Sequence, residues 1–87
     1  MSANSEYLHE LISSLKQQRD ELALKIHLSR DELKDEWSDL NEKLLQLSKK
    51  FEPLKDAAGE TGEDVWDALK LVGEEIKSGF NRIRKAL

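Results

Sequence analysis

Glu6 and His9 are the first residues whose types and spacing suggest chemistry. A Glu-x-x-His step sets a carboxylate and an imidazole on one helix face. Di-iron bundles use that step twice, with two further carboxylates from facing helices. The only other histidine, His27, has Leu24 three residues before it, so the second half of such a site is missing. Paired carboxylates recur at Asp31 with Asp35 and at Asp35 with Asp39. General acid–base work needs such groups in a cleft with displaced pKa values. Here they alternate with Arg30, Lys34 and Lys43 on what reads as a solvated helix face. Ser13, Ser14, Ser38 and Ser48 have no supporting histidine–acid pattern, and the chain has no glycine-rich phosphate loop. Without cysteine there is no disulfide, thiolate nucleophile or cysteine-ligated metal. The expectation is a protein that is not an enzyme, with no catalytic residue, metal or cofactor.

The elements that would position any site are helical. The length of 87 residues bounds the chain to one domain. Hydrophobic residues at 38% and charged residues at 37% suit a thin bundle or coiled coil, where most of each helix faces water. A seam of residues three or four apart runs through Leu8, Ile12, Leu15, Arg19, Leu22, Ile26, Leu33, Trp37, Leu40, Leu44, Leu47 and Phe51, and on through Leu54 to Ala58. Arg19 and Ser29 interrupt it. Arg19 would either pair with an acid across an interface or lay its stem over the seam with its head in water. Positions 26, 29, 33 and 37 make an eleven-residue step, which would unwind a left-handed supercoil near Leu33 to Trp37. Trp37 then reads as a large core filler.

The first four residues read as a disordered N-terminus, with Asn4 or Ser5 as a helix cap. A single amphipathic helix is expected over 5–58, reaching about 80 Å at 1.5 Å per residue and kinked near Pro53. Gly59-Glu60-Thr61-Gly62 reads as the turn, with Gly59 in a left-handed conformation and Thr61 with Asp64 as a capping box. A short amphipathic helix over 63–87 follows, apolar at Val65, Leu69, Val72, Ile76, Phe80, Ile83 and Leu87. Gly73 and Gly79 lower its intrinsic stability by about 1 kcal/mol each and would permit close approach of a neighbour. The fold class is thus all-α: an elongated helical hairpin, long first helix and short second, coiled-coil-like. The alternative is a three-helix bundle with a turn near residues 28–31, where Ser29 and Glu32 have capping-box spacing. Leu28-Ser29-Arg30-Asp31 contains no breaker, which favours the hairpin.

In a hairpin the short helix covers only Leu33 to Phe51 and leaves Leu8 to Ile26 bare. An antiparallel homodimer would close the seam, so the expected partner is a second copy, or else another helical protein. The expected function is a structural oligomerisation or interaction module. A peripheral membrane-surface or stress-associated binder is the alternative, using Trp66, Ile76, Lys77, Phe80, Arg82, Ile83, Arg84 and Lys85 as its face. The net charge of −4 argues against nucleic acid, as does the run from Asp56 to Glu75, with seven acids against Lys70 alone. No apolar run approaches the roughly 18–20 residues that span a bilayer, and Met1 to Glu6 lack a secretory pattern. A cytoplasmic location is expected.

The pieces Arg19-Asp20-Glu21-Leu22, Asp35-Glu36-Trp37 and Arg82-Ile83-Arg84-Lys85-Ala86-Leu87 resemble uncharacterised small bacterial coiled-coil proteins, over nearly the whole chain. The amphipathic repeats are also similar in shape to exchangeable apolipoprotein-like helices. The resemblance implies a helical fold and supplies no activity.

Overall fold

The computed structural model describes residues 3–57 and 59–87. Three helices follow one another: α1 (Ala3–Ile26), α2 (Asp31–Asp56) and α3 (Glu63–Ala86). They form an up-down-up three-helix bundle of 44 × 18 × 18 Å in which every pair of helices touches.

The long helix expected over 5–58 is therefore two helices, and the second element is not a short one. Between them Leu28 N–H donates to the Lys25 carbonyl at 3.2 Å and Ser29 N–H to the Ile26 carbonyl at 3.0 Å. Ser29 Oγ donates to that same Ile26 carbonyl at 2.9 Å. These bonds tighten the last turn of α1 and occupy carbonyls that a continuing helix would use. Arg30 then turns extended, at φ −68° and ψ 152°, a conformation open to any residue. No glycine or proline is needed. The turn lets α3, 24 residues long against 24 and 26 for α1 and α2, cover the whole seam from within the chain.

Several local expectations change with it. Helix α1 already includes residues 3 and 4 of the expected disordered N-terminus, while residues 1 and 2 lie outside the described residues. Asn4 Oδ1 accepts a 2.6 Å hydrogen bond from Lys70 Nζ on α3, and Ser5 is buried. Neither capping box forms: the N-caps of α2 and α3 are Arg30 and Gly62, without side-chain bonds. Thr61 Oγ1 instead donates back to the Ala57 carbonyl at 2.9 Å and closes the end of α2. Gly59 does not take a positive φ. Pro53 is accommodated inside α2, which continues to Asp56. Ala58 lies outside the described residues.

The core takes residues at helical spacing from each helix: Leu8, Ile12, Leu15, Leu22 and Ile26; Leu33, Leu40, Leu44, Leu47 and Phe51; Trp66, Leu69, Ile76, Phe80 and Ile83. Each large side chain so buried stabilises the fold by about 1.5–3 kcal/mol. Near the α2–α3 turn, Phe51 meets Trp66 edge-on with ring centroids 6.4 Å apart. The two glycines of α3 do admit close neighbours. A Cβ at Gly73 would stand 2.5 Å from Leu11 Cδ2, and one at Gly79 would stand 2.6 Å from both methyls of Leu40.

Candidate functional site

The residues expected to carry assembly are mostly the chain's own core. Leu8, Ile12, Leu15, Leu22, Ile26, Leu33, Leu40, Leu44, Leu47 and Phe51 are buried among the three helices. Trp37 is half-buried against them, in a hollow shared with Ala23, Ile26 and His27. Its Nε1 is enclosed without a hydrogen-bond partner, as are Gln18 Oε1 and Asn41 Oδ1. Arg19 keeps its head within its own helix, 3.1 Å from the Asp20 carboxylate, with its stem half-buried along the seam.

The expected membrane face divides. Trp66, Ile76, Phe80 and Ile83 are core residues, while Lys77, Arg82, Arg84 and Lys85 are exposed. Arg82 reaches Glu36 on α2 at 3.4 Å, an exposed pair worth less than about 1 kcal/mol. The apolar half of that face is thus turned inward and only its cations meet solvent. Among the described residues no helix is long and apolar enough to cross a membrane.

The residues with chemical potential do not converge. Glu6 and His9 are both exposed, and the described residues hold no group of three or more His, Asp or Glu that could bind a metal ion. Tyr7 has a displaced pKa, raised above 10.0 by its hydrogen bond to Glu74, by partial desolvation and by the Glu74 charge. That pair ties α1 to α3 at the surface, where Glu74 also borders an open hollow lined by Leu40, Lys43, Leu71 and Arg82.

Exposed large apolar side chains include Tyr7, Leu45, Val65 and Leu71 along the bundle, but the two most exposed, Leu24 and Leu28, lie at one end. The up-down-up path brings the end of α1, the start of α2 and the end of α3 together. Leu28 is 89% exposed, Leu24 81% and Leu87 45%. An open concavity of about 460 Å³ lies there, lined by Lys25, Leu28, Ser29, Arg30, Leu33, Ala86 and Leu87. Lys25 and Arg30 stand on its rim, and the exposed Arg84 and Lys85 lie in the last turn of α3 beside it. Burying such leucines against another surface removes apolar area from water, at roughly 25 cal/mol per Å².

Leu24 and Leu28 are the residues that the periodicity passed over, because both lie off the seam. The available signal was two large apolar residues at positions that helical spacing assigns to solvent, beside a turn. No family model, curated protein or solved structure matches this chain.

Proposed function

We propose that the chain is a non-catalytic helical interaction module that associates with a second copy of itself through the end formed by the α1–α2 turn and the close of α3. The observation that carries this reading is the clustering of Leu24, Leu28 and Leu87, all exposed, at one end of a bundle whose core is otherwise closed. Apolar patches on one pole of a small domain are characteristic of contact surfaces.

Leu28→Glu tests it. The substitution adds a charge at an exposed position and leaves the core untouched. Light scattering across a concentration series should show the parent shifting toward dimer and the variant remaining at the monomer mass. A parent that stays monomeric at every concentration removes the reading.

A second reading has its own support at the same pole. Lys25 and Arg30 line the concavity with Leu28 and Leu87, Arg84 and Lys85 are exposed in the last turn of α3, and each cation near an anionic surface adds about 1 kcal/mol. A peripheral membrane surface is then the partner. Co-sedimentation with vesicles rich in phosphatidylserine separates the two: salt-sensitive binding lost in Leu28→Glu favours lipid, and no binding removes it.

A further inference from the structure

The turn between α1 and α2 interrupts the backbone and shifts one buried stripe, but leaves the other in heptad register. Ile12, Ile26, Leu33, Leu40 and Leu47 lie at multiples of seven residues from one another, and all are buried. The flanking members Ile26 and Leu33 are one heptad apart across the turn itself. If α1 and α2 are redrawn as one helix of 3.6 residues per turn, their buried faces differ by only about 25°. A hairpin imposes no such agreement, because its loop can have any length and its two helices can face the core from any phase.

The residues of the turn are also able to be helical. His27, Leu28, Ser29 and Arg30 include no glycine or proline, and none has a positive φ. The turn is held by the Ser29 bonds to the Ile26 carbonyl and by one extended residue, Arg30. The turn has no side-chain N-cap on α2 to lose.

We infer that this turn is a hinge, and that the self-association proposed above, on which this inference rests, proceeds by exchange of α1 between two copies. With the hinge straight, α1 and α2 form one helix of about 80 Å. Helix α1 leaves its own chain and docks on α2 and α3 of the second copy, which returns its own α1. Every helix–helix contact of the closed bundle is remade. The Tyr7–Glu74 and Leu11–Gly73 contacts become contacts between chains, while Phe51 with Trp66 stays within one. The two hinges meet at the two-fold axis, and the apolar poles abut there. Leu28 and Leu87 gain cover that the closed bundle does not supply. Exchange of an identical element is a route to a closed dimer with little net cost, because the same contacts are remade, and mass action makes it dependent on concentration.

The chain has no cysteine, so a single engineered pair reports the connectivity. A Cβ at Gly73 would lie 3.4 Å from Leu11 Cγ, so the two positions face each other directly across α1 and α3 and are the pair chosen for Leu11→Cys with Gly73→Cys. The double variant is refolded under reducing conditions at dilute and at concentrated protein, confirmed helical by circular dichroism, and only then oxidised. Mass is read by light scattering and connectivity by non-reducing electrophoresis. Exchange predicts a dimer after concentrated refolding that runs as a covalent dimer, and a dilute sample that runs as a cross-linked monomer. Without the cysteines, Ser29→Ala with Arg30→Ala should tighten dimerisation about tenfold, and Ser29→Gly with Arg30→Gly should weaken it by at least about tenfold, following helix propensity at two hinges per dimer. A dimer whose cross-links stay within each chain overturns exchange and leaves association by docked ends standing. A dimerisation constant that neither hinge pair moves also overturns exchange. A chain that stays monomeric throughout overturns both.

Discussion

Tyr7 Oη donates a 2.8 Å hydrogen bond to Glu74 Oε1, which joins the first turns of α1 to the middle of α3. Lys70 Nζ stands 5.4 Å from the Tyr7 ring centroid while it donates to Asn4. One tyrosine thus presents its hydroxyl to an acid and its ring toward a cation, across the two helices that run parallel.

This arrangement predicts an alkaline dependence of stability. The hydrogen bond to Glu74 leads the causes that raise the Tyr7 pKa above 10.0. A folded-state pKa above the unfolded one means that the folded chain holds the proton longer. Its contribution is complete below pH 10.0 and is lost as pH rises through the raised value. Urea unfolding from about pH 9 to 11 should show a decline that is shallower in Tyr7→Phe. Tyr7 is the only tyrosine, so phenolate absorbance follows it directly.

The two buried glycines of α3 should respond differently to alanine. Each gains about 1 kcal/mol of helix propensity. At Gly79 the new methyl meets both Leu40 methyls at 2.6 Å and Leu40 Cγ at 3.1 Å, and relieving that crowding costs roughly 1–3 kcal/mol. At Gly73 only one methyl of half-buried Leu11 stands in the way, and it can rotate aside. Thermal unfolding should find Gly79→Ala destabilised by about 1 kcal/mol and Gly73→Ala stabilised by about 0.5 kcal/mol.

Leu22→Asp should unfold the single chain. Leu22 is 2% exposed in the bundle core, and a carboxylate there loses packing and its hydration, at about 4 kcal/mol or more. Circular dichroism should show the loss of cooperative melting. A well-folded monomeric variant would mean that the seam is not covered by α3.

Asn41→Leu should stabilise the fold. Asn41 Oδ1 is enclosed without a hydrogen-bond partner, a state that costs about 1–3 kcal/mol for a buried polar group. Leucine removes the unpaired oxygen and is the better helix former. Chemical denaturation should give a gain of about 1 kcal/mol.

The three heptad-like stripes were legible in sequence because helical periodicity reports which face is buried. It does not report which chain supplies the cover. Leu8 to Ile26 would be bare beneath a hairpin, and the same residues are closed by α3 once the chain turns at Ser29. That turn was hard to read because its device is a serine hydroxyl on the Ile26 carbonyl and one extended arginine, with no glycine or proline to mark it. Thr61 was legible as a capping residue but serves α2 instead of α3, since a hydroxyl between two helices can bond in either direction. The apolar pole was the least legible feature. Leu28, one turn on from Leu24, comes to share a concavity with Leu87 only through the path of the chain.

An odd number of helices sets the beginning of α1 and the end of α3 at opposite poles of a body 44 Å long. Tension applied between those two points runs along the helix axes, so the helices must slide past one another together instead of peeling apart one contact at a time. Interlocked side chains such as Leu40 seated on Gly79 resist that shear, so the bundle would yield to such a load all at once.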